Sequence, residues 1–321
     1  MKRLDMPTIL SLCSIIILLV SGCVEKPQPS LDADSYYDRG RTYHQKGQYD
    51  NAISNYTKAV EINLGYADAY VGRGDAYFAK GRYDLAISDY NQAIEVNPKS
   101  VEAYSNRGAA YSDIGQYDKA ISDCTKSIVI NPKFAMAYNN RGKAYAQGKG
   151  QYERAIYEYT KAIELNPKFA MAHHNRGHAY SNTGQYEHAI SDFTKVIEIN
   201  PTDAEAYYSR GIAYDDKGQY DQAISDFNKA IGINRKYVEA YTNRGVVFLN
   251  TGRYDQAISD FNKAIEINSK SALAYYNRGV AYFGKEEYEK AWADIHKARD
   301  LGSQIHPGFQ KAPREAWGRQ R

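Results

Sequence analysis

The sequence predicts an all-α chain, an α-solenoid of eight tandem helix-turn-helix units, and three observations predict it. An Arg-Gly pair recurs as Arg39-Gly40, Arg73-Gly74, Arg107-Gly108, Arg141-Gly142, Arg176-Gly177, Arg210-Gly211, Arg244-Gly245 and Arg278-Gly279, at intervals of 34 residues with a single 35. Tyr accounts for 31 of 321 residues, and DQAISDFNKAI stands at 221–231 and again at 255–265; such density points to a segment copied from itself. Within a unit, Tyr83, Ala86, Ile87, Tyr90, Ala93 and Ile94 recur at i, i+3, i+4 and i+7, one apolar stripe on a helix.

Each element has its own signal. A Gly-x-Tyr turn such as Gly81-Arg82-Tyr83 separates the two helices of a unit. Asn97-Pro98, Asn131-Pro132, Asn166-Pro167 and Asn200-Pro201 end the second helix in four units, because a residue before proline avoids helical ψ. The interval of 35 predicts one extra residue in the turn Gly148-Lys149-Gly150-Gln151. Helix pairs this short cannot bury an apolar face alone, so neighbours must stack into a shared core. The array runs over 33–305.

Composition bounds the function. With 41 basic and 38 acidic residues and a net charge of +3, the chain lacks the basic excess of a general nucleic-acid or anionic-membrane surface. Lys2 and Arg3 precede an uncharged run from Ile9 to Val20, too short for the roughly 20 residues that cross a bilayer. It reads as an export signal over 1–22. Val20-Ser21-Gly22-Cys23 resembles the lipobox of bacterial lipoproteins, which implies cleavage before Cys23 and its acylation; the competing reading is an uncleaved signal anchor. Two or more acyl chains anchor stably where one does not. Val24 in place of Asp, by resemblance to enterobacterial lipoproteins, implies an outer-membrane address facing the periplasm in a cell with two membranes. Residues 23–32 carry Pro27 and Pro29 and read as a tether, the nine after Cys23 reaching at most about 30 Å. The mature chain keeps only Cys124, safe from internal disulfides in an oxidising compartment. The segment 306–321 sets Lys311, Arg314, Arg319 and Arg321 against Glu315 and is expected to be a disordered basic tail.

The 34-residue unit resembles the tetratricopeptide repeat. Counting from Ala33 and its equivalents, position 4 is Tyr in seven units and His173 in the fifth. Position 8 is always Gly, position 11 is Tyr except Phe248, and position 20 is Ala from Ala52 to Ala291. Two departures stand out: Arg at position 7, where the family has Leu, and no Pro at the end of units one, six, seven and eight. The resemblance implies a right-handed superhelix and a peptide groove lined by positions 2, 5, 6, 9, 12 and 13 of each first helix.

Position 7 is Arg eight times, and position 23 is acidic in seven units (Asp89, Asp123, Glu158, Asp192, Asp226, Asp260 and Asp294) with Asn55 in the first. One reading is a charged ligand rail. The other, which invariance favours, is an internal Arg–carboxylate ladder, since a guanidinium fork suits paired and partly buried geometry. Binding surfaces vary between units.

The varying groove positions are therefore the candidate site. Position 6 gives Asn106, Asn140, Asn175, Asn243 and Asn277; an amide donates and accepts at once and can pair with an extended peptide backbone. The competing reading is family consensus without a ligand. Units three to five offer polar side chains there, whereas units six to eight offer Tyr208, Tyr276, Leu249 and Phe283 with Ile212, Val246 and Val280, an apolar stretch of the kind that marks contact sites. His174 and His178 sit at i and i+4, a spacing that can hold a metal. Without a third ligand they read as polar groove lining, so no metal and no cofactor is assigned. The carboxylate clamp of chaperone-type relatives is missing, because no unit has Lys or Arg at positions 2, 5 or 6.

An enzyme has no room: few residues lie outside the array, and no phosphate loop, nucleophile motif or metal triad lies inside it. The expected partner is a protein or peptide, with no nucleic acid and no small-molecule substrate. The expected function is a membrane-anchored adaptor that binds peptide segments of envelope proteins and supports complex assembly. The alternative is a structural spacer or self-associating scaffold with no groove ligand.

Overall fold

The computed structural model describes residues 32–304, except the side chain of Lys149. The export signal, Cys23, the tether before Asp32 and the tail after 305 lie outside the described residues. Among the described residues there are sixteen helices and no strand, paired repeat by repeat. Repeat one holds α1 (Ala33–Gln45) and α2 (Tyr49–Ile62), repeat two α3 (Ala67–Ala79) and α4 (Tyr83–Val96), repeat three α5 (Val101–Asp113) and α6 (Tyr117–Ile130). Repeat four holds α7 (Ala135–Lys149) and α8 (Tyr152–Leu165), repeat five α9 (Ala170–Asn182) and α10 (Tyr186–Ile199), repeat six α11 (Ala204–Asp216) and α12 (Tyr220–Ile233). Repeats seven and eight hold α13 (Val238–Asn250), α14 (Tyr254–Ile267), α15 (Ala272–Gly284) and α16 (Tyr288–Asp300). The chain forms two compact units, one through Pro98 with α1–α4 and one from Lys99 with α5–α16. Within each, helices consecutive in sequence pack together. None of the described helices is long and apolar enough to cross a membrane.

The core follows from two positions. Ala at position 20 is fully buried in every repeat. The invariant Gly at position 8 lies against position 24, an aromatic in six repeats: a Cβ on Gly177 would come within 2.8 Å of the Phe193 ring, and one on Gly74 within 2.6 Å of Tyr90. The two helices of a repeat thus approach so closely that only glycine fits. In repeat three position 24 is Cys124, which is fully buried; loss of hydration pushes its thiol up to about 12, so it is an inert core residue.

Helix ends follow Asn more than Pro. Asn63, Asn234 and Asn268 close their helices at φ between −133° and −120°, although no Pro follows. Their side-chain Oδ1 atoms accept from the backbone N–H two residues on, at 3.0 Å from Gly65, Lys236 and Lys270, as Asn131 does from Lys133 in a unit that has Pro. This Asx turn is common to both kinds of repeat. The extra residue of repeat four does not enlarge the turn, as its sequence suggests; it lengthens α7 to 15 residues. Gly150 then reverses the chain at φ 57°, and Gly148 is so close to the Tyr117 ring that a Cβ would overlap it.

Candidate functional site

The Arg ladder is internal. In repeats two, three, five, six, seven and eight the guanidinium grips its Asp by two bonds, Nε to Oδ2 and Nη2 to Oδ1, all at 2.5–2.9 Å. The Asp side chains are at most 9% exposed. Repeat four makes one bond, Arg141 Nη2 to Glu158 at 2.9 Å, and leaves Arg141 Nε buried without a partner. The remaining guanidinium nitrogen, Nη1, reaches back to the second helix of the preceding repeat: Arg176 to Thr160 and Arg210 to Thr194, both at 2.9 Å. One side chain therefore joins three helices. The aromatics at positions 4 and 11 flank it, with Tyr207 5.7 Å and Tyr214 5.9 Å from the Arg210 carbon, in cation–π range. Repeat one has no rung, since Asn55 donates to its own helix at Asn51 O.

Repeat five varies the rung. His173 replaces the position-4 Tyr and bonds Asp192 through Nδ1 at 2.8 Å. Burial alone would raise the Asp192 carboxyl, but hydrogen bonds from Arg176 and His173 outweigh it and hold it below the usual range. At Asp260, with Arg244 as its partner, burial prevails and the carboxyl is raised.

On the face formed by the first helices, the asparagine series has a role that the sequence reading did not foresee. Asn140 Nδ2 donates to Ser105 Oγ at 3.1 Å and to Ser105 O at 3.3 Å. Asn175 donates to Asn139 Oδ1 at 3.0 Å, and Asn243 to the Tyr208 hydroxyl at 2.9 Å. In each case position 6 of one repeat bonds position 5 of the repeat before. These three amides stitch neighbouring first helices, and Asn140 is buried. Asn106 and Asn277 are half-buried. The interlock needs a side chain in one repeat and its acceptor 35 or 36 residues earlier, a pairing that a single-repeat signature conceals.

The apolar residues of repeats six to eight are divided between core and surface. Tyr208 packs on Phe227 and Tyr237, at 5.9 and 4.9 Å. Leu249 and Val246 rest on the buried cluster of Phe248, Ala257, Phe261 and Ala281. Phe283 meets Tyr288 edge-on at 5.5 Å, and it is half-buried, as is Tyr276. Asp215 and Asp216, at positions 12 and 13 of repeat six, interrupt this stretch. Burial, and then the neighbouring Asp216 charge, raises the Asp215 carboxyl.

Repeat five brings three ligating side chains together. His178 Nε2 is 3.3 Å from His174 Nε2 on α9, and Glu205 Oε1, at the start of α11, is 4.0 Å from His174 Nε2. The ligating atoms of all three lie within 4.8 Å of one another. Loss of hydration, and then the neighbouring imidazole, lowers His178 to about 4. The sequence shows the histidine pair but not Glu205, which only the stacking of repeat six on repeat five delivers.

Repeat-family models match along the chain. One described as TPR repeat matches 40–79, 74–115, 149–184 and 247–285; two described as tetratricopeptide repeat match 101–134, 170–203 and 204–237 and 124–157. Among solved structures, a tetratricopeptide repeat protein from Parabacteroides merdae ATCC 43184 is 21% identical, with a TM-score of 0.56 over 78% of this chain and 98% of its own. The APC/C hetero-tetramer Cut9-Hcn1 is 17% identical, with a TM-score of 0.61 over 97% of this chain and 59% of its own. The MamA protein is 34% identical over 53% of this chain and 92% of its own, with a TM-score of 0.45. The first two likenesses concern the fold alone. No curated protein sequence matches the chain.

Proposed function

Because the chain belongs to the tetratricopeptide-repeat family, whose members are generally protein-interaction scaffolds, we propose that it is an adaptor. It is held at a membrane by lipid on Cys23, and the first-helix face of repeats three to eight takes a segment of an envelope protein. One observation carries the reading. In repeats two to eight the recurring Arg is consumed inside the array by its carboxylate, which leaves the varying first-helix positions as the surface that can distinguish a ligand. Apolar side chains of the partner would meet Tyr276, Phe283 and the exposed part of Leu249, and polar backbone would meet the amide of Asn277.

The interlocked Asn140, Asn175 and Asn243 make poor probes of binding, since their removal also loosens the array. Crosslinked co-purification from native membranes is better compared between the intact chain and Tyr276→Ala/Phe283→Ala. An envelope protein recovered with the first and missing with the second supports the adaptor. Identical partner sets, or only the chain itself, favour a spacer or self-associating scaffold. Separately, Cys23→Ser should move the protein from the membrane to the soluble fraction; if it stays in membranes, the lipid anchor is wrong.

A further inference from the structure

The face of repeat five differs from those of its neighbours in a way that the interlock explains. In repeats three, four and six the position-5 side chain accepts from the position-6 Asn of the next repeat. After repeat five that place is held by Ser209, a short and buried side chain. His174, at position 5, instead faces His178 and Glu205. Repeat five alone combines His at positions 5 and 9, though the repeats are otherwise near copies.

We propose that His174, His178 and Glu205 bind one Zn²⁺ ion, through the two imidazole Nε2 atoms and one carboxylate oxygen. Two Zn–N bonds of about 2.0–2.1 Å meeting near the tetrahedral angle hold their nitrogens roughly 3.3–3.4 Å apart, and the observed separation is 3.3 Å. Without an ion, the same distance is a weak N–H···N hydrogen bond. Glu205 Oε1 stands somewhat farther off, at 4.0 Å from His174 Nε2, on a side chain 67% exposed and free to swing inward. The imidazoles themselves are braced: both lie edge-on to the fully buried Phe193, at 5.7 and 5.2 Å, which limits their rotation and prepares the site. Two imidazoles and one carboxylate suit zinc, whereas magnesium and calcium prefer all-oxygen sets. Three protein ligands leave a fourth position for water or for a side chain of a bound segment. The assignment stands whether or not this face carries a peptide.

The test is a titration of the full mature chain, free of any histidine tag, with Zn²⁺ against a chromophoric chelator at neutral pH. The intact chain should take up one equivalent at this site. His174→Asn and His178→Ala should abolish that uptake. Both substitutes already occur at those positions, as Asn139 and Ala109, so helicity by circular dichroism should be unchanged. Glu205→Gln should weaken binding tenfold or more, while His188→Gln, on the exposed side of α10, should leave it unaltered. No stoichiometric uptake by the intact chain would overturn the site. Undiminished uptake by well-folded His178→Ala would do the same, and unchanged affinity in Glu205→Gln would remove the carboxylate from it.

Discussion

Arg244 and Arg39 occupy the same repeat position and have different surroundings. Arg244 holds Asp260 by two bonds, with the Asp side chain 7% exposed. Arg39 is exposed and lies in the repeat whose position 23 is Asn55. Arg244→Ala should cost about 3 kcal/mol, because it strands a buried carboxylate. Arg39→Ala should cost less than about 0.5 kcal/mol, as for a surface change. Denaturant melts of the two variants check the contrast. A second contrast concerns pH. Asp192 is depressed in the folded chain, so its contribution to stability is fully present above the unfolded value, near 3.9, and is lost as pH falls through the lower folded value. Asp260 is raised, so its favourable contribution belongs to the protonated form and is lost as pH rises through its folded value. His173→Tyr, which restores the residue common to the other repeats, should raise the Asp192 carboxyl toward the Asp260 pattern. Carboxyl-carbon NMR titration reads this directly, and an unmoved Asp192 would show that His173 contributes nothing.

At the scale of the helix and its ends, periodicity and punctuation made most of the fold legible. The stripe of Tyr83, Ala86, Tyr90 and Ala93 and the Gly-x-Tyr turns set the sixteen described helices, because burial and backbone sterics act within a few residues. Proline was the less informative stop signal: the Asn Oδ1 turn closes α2, α12 and α14 without it. The fate of the added residue in repeat four depended on a neighbour, since α7 lengthens where Gly148 can lie against Tyr117. The metal candidate was half legible. His174 and His178 share a helix, whereas Glu205 belongs to the next repeat. Repeat eight departs from the turn rule, with Glu286 at φ 62° where seven other repeats place Gly at positive φ. A side chain there costs roughly 1 kcal/mol, so Glu286→Gly should stabilise the last repeat by about that amount, seen as slower amide exchange in α15 and α16. Faster exchange would mean that Glu286 makes a contact worth more than the strain.

For the molecule, the proposal divides labour between two sets of residues. The Arg–carboxylate rungs hold the two helices of a repeat together, the Arg Nη1 contacts and the amide interlock of Asn140, Asn175 and Asn243 hold repeat to repeat, and in the proposed adaptor the first-helix side chains of repeats seven and eight would meet the partner. Near-identity of the repeats displays the first set clearly, because it recurs. The second was legible only as variation, and the interlock shows why variation misleads: a side chain unlike its equivalents can be answering the repeat beside it. The measurement that bears most directly on this division compares two variants in one experiment, with partner recovery from crosslinked membranes read beside the denaturation midpoint. Arg244→Ala should lower the midpoint and, at temperatures where it remains folded, still recover the partner. Tyr276→Ala/Phe283→Ala, compared at a temperature where it too remains folded, should lose the partner. If Arg244→Ala loses the partner while still folded and the aromatic variant keeps it, the assignment of roles is reversed and the ladder itself is the binding surface.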